Sequence, residues 1–249
     1  MADNVYSYFD DGGNTGVLLV VPEPLEDESI VVPNISFEAG SNMCLVIENG
    51  AVSERDFQEA VQQNNVALVH QYLDQGFDVN YDHGWALLHA ASMGYQQLSG
   101  ILLSHPHADV NGVDADGASA LHFSCFNGNV EITRMLILTP GINLNIRAGG
   151  GSFSGRTPAM VAALNSREAL LLLAGVTGVD WNVQDNDGDT VATLAAKQED
   201  MDVLKILTDI RSIKWNISNN RGDSANRDNK QTIIQSRPCM FLLRFASLL

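Results

Sequence analysis

The sequence predicts an all-α fold, a solenoid of stacked helix–turn–helix units. The first observation is the stretch 117–145, which holds two short amphipathic segments separated by Gly128 and closed by Pro140-Gly141. The small or apolar residues at helical spacing are Leu121, Ser124 and Cys125 in the first segment and Ile132, Met135 and Leu136 in the second. Two helices this short cannot bury both apolar faces against each other, so each pair must pack on neighbouring pairs.

The second observation is that this stretch recurs along the chain. A closing signature, Asp-Val-Asn or a variant of it, places asparagines at Asn80, Asn111, Asn145, Asn182 and Asn216, with steps of 31, 34, 37 and 34 residues. A leading glycine recurs in the same way, at Gly84, Gly117, Gly155, Gly188 and Gly222. A period of about 33 residues with two helices per unit is typical of a helical repeat protein.

These motifs resemble the ankyrin repeat family. The residues that carry the resemblance are Ala120-Leu121-His122, Gly155-Arg156-Thr157-Pro158, Gly188-Asp189-Thr190 and the Asp-Val-Asn closings, and it covers roughly Arg55 to Ala225. The resemblance implies an ankyrin-repeat α-solenoid with β-hairpin-like fingers between units, flanked by irregular tails. It also implies that His122, at the start of a first helix, bridges backbone groups of adjacent turns and has a structural role.

The chain divides into three predicted regions. Residues 1–53 contain no Lys, Arg or His and form an acidic, largely disordered N-terminal arm. Residues 54–225 form the ankyrin repeat domain, with units at about 54–82, 83–115, 116–153, 154–186 and 187–220 and the start of a sixth. Residues 226–249 form a divergent, basic C-terminal tail, which is a diverged capping helix, a partner-binding peptide or the product of a truncated or misspliced gene model.

Two apolar islands interrupt the acidic arm, at residues 17–21 and 30–32. Short β-branched runs beside acidic residues can add a strand to the sheet edge of another protein. The islands resemble the short motif that binds the ubiquitin-like modifier SUMO; a small local hairpin and a plain tail are the alternatives.

Three local features refine the repeat pattern. Ser53 and Asp56 match a capping box, which predicts that a helix begins there. The second unit is one residue short between its glycines, so the sequence leaves open whether His89 takes the place of His122. The closing segment of the third unit, Arg147–Ser154, is unusually long, and we expect the extra length in a finger, where insertions are tolerated.

Composition limits the partners and the compartment. The formal net charge of −16 argues against nucleic acid and anionic membranes and favours a partner protein with a basic surface, although solubility alone also explains it. No apolar run approaches the length of a membrane helix. Cys44, Cys125 and Cys239 are few and far apart, so we expect reduced thiols in a cytoplasmic or nuclear monomer.

The sequence offers little enzymatic chemistry. The run from Gly150 to Thr157 approaches a phosphate-binding loop, but Arg156 replaces the lysine and Pro158 follows. His105 and His107 are too few ligands for a metal site. No spacing suggests a catalytic triad or dyad, and the expectation is therefore a non-enzyme without catalytic residues, metal or cofactor.

The resemblance implies protein–protein binding as an adaptor or scaffold, through the fingers and the concave face of the first helices. The predicted contact residues are Trp85, Asp116, Phe153, Arg156, Asp187 and Asp189. Phe153 is predicted to be an interface anchor exposed on a Gly-rich finger; the alternative is that it folds back on its own hairpin. The acidic finger residues have two interpretations, turn formation and contact with a basic partner.

Two further functions are kept as alternatives. One is a regulatory inhibitor that masks a basic surface of a transcription factor or kinase. The other, suggested by the loss of register after Ala225, is a fragment of a longer ankyrin-containing protein.

Asn111 is a predicted modification site. The closing asparagines of ankyrin repeats resemble targets of an oxygen-dependent asparaginyl hydroxylase, with a preferred Leu eight residues before and an acid two residues before. Leu103 and Asp109 fit that context. The alternative is that these asparagines only bond the backbone of the neighbouring finger.

Overall fold

The computed structural model describes residues 5–9, 15–19 and 52–225. Two strands, β1 (Val5–Phe9) and β2 (Thr15–Leu19), pair antiparallel with Val5 opposite Leu19. They belong to one compact unit, Met1–Ala51, and the helices belong to a second, Val52–Leu249. Part of the first apolar island is therefore in β2, whereas residues 20–21, 30–32 and 226–249 lie outside the described residues.

Within residues 52–225 ten α-helices follow one another in pairs. They are α1 (Glu54–Gln62), α2 (Val66–Asp74), α3 (Tyr81–Met93), α4 (Gln96–Ser104), α5 (Ala120–Phe126), α6 (Val130–Leu138), α7 (Pro158–Asn165), α8 (Arg167–Ala174), α9 (Val191–Lys197) and α10 (Met201–Thr208). Each pair matches one predicted unit. The helical repeat solenoid predicted from the sequence is confirmed.

The helices form two layers. The first helices pack in the order α1, α3, α5, α7, α9, and the second helices in the order α2, α4, α6, α8, α10. Small residues at the contacts between first helices, such as Ala91 and Ala162, let their backbones approach, while Leu98, Leu136 and Leu170 of the second helices fill the space behind them. One continuous core results, as expected for a chain whose units are stable only when stacked.

The beginnings of the first helices are capped as the sequence suggests. Ser53 caps α1 by accepting a hydrogen bond from the backbone N–H of Asp56. Ser119 with His122, and Thr190 with Thr193, form reciprocal capping boxes on α5 and α9. His122 and Thr193 thus hold equivalent positions, and either side chain accepts the N–H of the capping residue.

The backbone hydrogen bonds of the second unit show which of its residues takes the position of His122. The backbone N–H of Tyr95 bonds the carbonyl of Ala90, as that of Asn129 bonds Ser124. Counting back from these matched bonds places Leu88, not His89, in the position of His122. His89 is instead half-buried and stacks on Trp85, with ring centroids 5.0 Å apart.

Candidate protein-binding surface

An asparagine ladder joins the closing segments of successive units. The Asn111 side chain donates to the carbonyl of Gly141 at 2.9 Å and accepts from the N–H of Asn143 at 2.7 Å. Asn80, Asn145 and Asn182 make the same pair of bonds to the next unit. The backbone-bonding interpretation of these asparagines is therefore confirmed, and hydroxylation of Asn111 stays a prediction that mass spectrometry of the peptide would test.

The fingers are hairpin turns, with bridges between Val113 and Ser119 and between Ser218 and Ser224. Asp114 Oδ1 accepts two backbone N–H groups, from Asp116 and Ala118, and Asp185 Oδ1 does the same in the fifth unit. These two carboxylates therefore stabilise turns. Asp82, Asp116 and Asp187 are exposed, so their charges face solvent at the fingers.

Phe153 requires a correction. Its side chain is 6% exposed, so the prediction of an exposed finger anchor is wrong. The long segment folds into a short 3-10 turn, Gly151–Phe153, which places the Phe153 ring 5.5–5.7 Å from the rings of His122, Phe123 and Phe126. The Phe153 side chain folds back into the protein, as in the alternative interpretation. The aromatic rings that it contacts belong to α5, however, and not to its own hairpin.

Asp189 is also a structural residue. It is 3% exposed, and its two oxygens accept bonds from the Lys197 ammonium at 2.8 and 2.6 Å. The Asn219 side chain donates a further bond at 2.8 Å. Because both oxygens are committed inside the chain, Asp189 is not an exposed acidic residue of the finger, and a partner contact through it has no support from its burial.

Arg156 occupies a semi-buried position between two units. Its Nε lies 3.7 Å from Asp185 Oδ2, and these two atoms are buried without a hydrogen bond. Its carbonyl accepts the Nε2–H of His122 at 3.0 Å, which fixes the ring of that histidine. Burial lowers the pKa of His122 to about 4, so the neutral imidazole is the form that the fold uses.

Three carboxylates converge at the finger of the fifth unit, those of Asp185, Asp187 and Asp189. The Lys197 ammonium takes both oxygens of Asp189. Two backbone N–H groups take Oδ1 of Asp185, and Oδ2 of Asp185 faces the Arg156 guanidinium. This donor set matches an internal ion pair with turn capping better than it matches a cation site.

Other reactive side chains of the described region are packed away. Cys125 is buried, and burial raises the pKa of its thiol to about 12. Thr157 is the N-cap of α7 and Pro158 its first residue, so the Gly150–Thr157 run serves as the start of a repeat. Among residues 52–225 no helix is both long and apolar enough to cross a bilayer.

The exposed apolar residues of the first helices are a feature that the sequence reasoning missed. Met93 is 56% exposed at the end of α3, and Phe126 is 47% exposed at the end of α5. Trp85 and Phe123 are half-buried on the same two helices. The sequence signal for their exposure is that Met93 and Phe126 fall at the ends of their helices, outside the spacing of the buried residues.

These helices lie in a part of the chain that lacks Lys and Arg. Between Arg55 and Arg134 the sequence contains no Lys or Arg. Its acidic residues there are Asp56, Glu59, Asp74, Asp78, Asp82, Asp109, Asp114, Asp116 and Glu131. Residues 56–133 therefore combine apolar and aromatic groups with nine carboxylates, and their basic side chains are histidines alone.

Comparison with known proteins agrees with this architecture. The family model for ankyrin repeats (3 copies) matches residues 57–148. The chain is 31% identical over 183 residues to Protein PhlB of Serratia liquefaciens, covering 74% of this chain and 72% of that protein. It is 29% identical over 202 residues to the E3 ubiquitin-protein ligase KEG of Arabidopsis thaliana, covering 75% of this chain but 12% of that protein. Ankyrin repeats indicate a protein–protein interaction module, and the chain belongs to the ankyrin repeat family.

Proposed function

We propose that this chain is an adaptor or scaffold that binds another protein through its finger tips and the exposed face of its first helices. One observation carries the proposal: Met93 and Phe126 are about half exposed within residues 56–133, a stretch that contains nine carboxylates and no Lys or Arg. Apolar contacts at a binding surface supply affinity, and charge complementarity supplies selectivity and a faster association. The partner that fits is a protein with a basic surface.

The burial of some predicted contact residues leaves a smaller set of side chains that can contact a partner. Phe153 and Asp189 leave the set because they are held inside the chain, and Arg156 is turned towards Asp185. Trp85, Asp116 and Asp187 remain, and Phe126 and Met93 join them because their side chains are about half exposed. We expect the residues that remain to lie at the centre of the partner contact.

The test is an affinity capture with two variants of equal net charge. Asp116→Asn with Asp187→Asn removes two carboxylates from the fingers. Glu131→Gln with Glu168→Gln removes two exposed carboxylates from the second helices. A partner retained by the second variant and lost from the first, more so at higher salt, supports binding through the fingers.

Equal capture by both variants contradicts a finger contact. Equal loss from both shows that overall charge, not a defined surface, drives the association. Each result is read beside the circular dichroism spectrum, because the exchanges replace exposed groups and should leave the helices intact.

A regulatory inhibitor is the second candidate function, favoured by the absence of any Lys, Arg or His from residues 1–53. In that role the arm adds negative charge to the repeat surface and helps to mask a basic region of a transcription factor or kinase. Deleting residues 1–53 distinguishes the two roles: an inhibitor loses much of its affinity and its salt dependence, whereas an adaptor that binds through its repeats retains both.

A further inference from the structure

A depression of about 370 Å³ lies between the first half of α3 and the start of the finger that precedes α5. Asp82, Trp85, Leu88, Val113 and Asp114 are among its lining residues. It therefore combines an aromatic side chain and aliphatic groups with two carboxylates. No function assigned above accounts for this combination.

The depression arises from the shortened second unit. In the third unit Ser119 caps α5 and is fully buried beside His122. In the second unit the equivalent positions hold Trp85 and Leu88, which cannot form that capping pair, and Trp85 stays half-buried. A bulky indole thus occupies the position that a small, buried hydroxyl group holds in the third unit.

The rim of the depression is a strained backbone. Asp82, His83 and Gly84 are consecutive residues with positive φ, at 50°, 59° and 79°. Left-handed conformations are costly for residues other than glycine and persist only where the surrounding structure imposes them. The carbonyl of His83 also comes close to Gly112, where an added Cβ would lie 2.5 Å away, so the rim is held tightly against the closing segment of the same unit.

Of the residues that line the depression, His83 is basic and none is Lys or Arg. Asp82 is exposed, and Asp114 uses Oδ1 for both of its turn bonds. The nearest Lys or Arg in the sequence are Arg55 and Arg134. A cation from outside the chain is therefore the group that complements this surface.

We propose that the depression binds the guanidinium group of an arginine side chain on a partner protein. His89 already stacks on one face of the Trp85 indole. An arginine would therefore stack its planar group on the other face while its N–H groups reach Asp82 and Asp114. Lysine offers a compact and strongly hydrated ammonium, which gains less from a flat aromatic wall. The proposal rests on the proposed function and deepens it, because it specifies the chemistry that the partner presents.

The test uses the full chain and a small probe, Nα-acetyl-arginine N-methylamide, with its lysine and citrulline counterparts. Binding is followed by the indole N–H signals of Trp85, Trp181 and Trp215 in two-dimensional NMR. The arginine probe should shift the Trp85 signal saturably, and the lysine probe should bind about threefold more weakly. The citrulline probe, which has the same shape without the charge, should give no saturable shift.

Matched variants then locate the site. Asp82→Asn should weaken the arginine probe about fivefold, since one carboxylate is lost near the cation. Asparagine tolerates the left-handed backbone at this position. Asp209→Asn, an equal charge change at the exposed C-terminal end of α10, should leave binding unchanged.

Several results overturn the proposal: equal shifts with the citrulline probe, equal binding of lysine, no saturable shift of Trp85, or equal weakening by the two Asp→Asn variants. The probe requires no partner, so its failure is separable from failure of the proposed function. If the probe does not bind while the Asp116→Asn, Asp187→Asn chain still loses its partner, the protein-binding role stands and this site is wrong.

Discussion

Replacing Phe153 with alanine tests the largest difference between sequence and structure. If Phe153 were a finger anchor, Phe153→Ala would weaken partner binding and leave the fold unchanged. Because its ring is buried against α5, we expect the opposite: a clear loss of stability. Exposed Phe126 of the same cluster provides the control, as Phe126→Ala.

The size of the loss follows from the contacts of the ring. Removing a nearly buried phenyl group from the core costs about 2 kcal/mol in transfer free energy. The edge contacts with Phe123 and Phe126, both at 5.7 Å, add about 1 kcal/mol together. We therefore expect the free energy of unfolding to fall by about 3 kcal/mol, at the lower end for buried Phe→Ala changes because the Gly-rich segment can partly collapse.

Urea unfolding followed by far-ultraviolet circular dichroism gives the measurement. Phe126→Ala, which loses one aromatic contact and little buried area, should cost under about 1 kcal/mol. Hydrogen exchange should also rise across residues 147–156 in Phe153→Ala. A loss under about 1 kcal/mol for Phe153→Ala, or equal losses in both variants, would refute the reasoning.

Three further predictions concern buried polar groups. Asn145→Ala removes both ladder bonds and should cost about 2 kcal/mol in urea unfolding. The folded-state pKa of His122, about 4, lies below its usual 6.5, so the unfolded chain binds the extra proton between these values. Stability should therefore fall by about 3 kcal/mol as pH drops through that window, a component that His122→Thr should lack when the two pH profiles are compared. Lys197→Met leaves a buried carboxylate unpaired and should cost about 2 kcal/mol by thermal unfolding, against under about 0.5 for the exposed Lys205→Met.

Periodic features were predictable from the sequence. The closing asparagines recur at steps near one repeat, and each of the four from Asn80 to Asn182 bonds the next unit at the same place. The cap at Ser53 follows from local hydrogen-bonding chemistry, which needs only three residues of context. These features can be predicted from the sequence because the contacts behind them are either repeated from unit to unit or formed within a few residues.

Features at departures from the period were not predictable. The segment 147–154 has no regular spacing, so nothing in the sequence shows that Phe153 turns inward onto α5. The missing residue in the second unit allows two alignments, and only the backbone bonds of Tyr95 and Asn129 place Leu88 opposite His122. In the sequence Asp189 resembles an exposed acidic residue of a finger. Only the structure shows that the ammonium of Lys197, eight residues later, binds its carboxylate.

The sequence by itself determined the fold, the number of complete units and the excess of negative charge, because a repeated amphipathic helix pair can bury its apolar face only by stacking on its neighbours. The tertiary structure decided which finger residues are free to meet a partner. Burial of Phe153 and Asp189 depends on side chains from other elements of the stack, whereas Trp85 and Asp82 stay accessible because the shortened second unit lacks the residues that would close over them. Accessibility is set by the fit between neighbouring units, and that fit exists only once they are stacked.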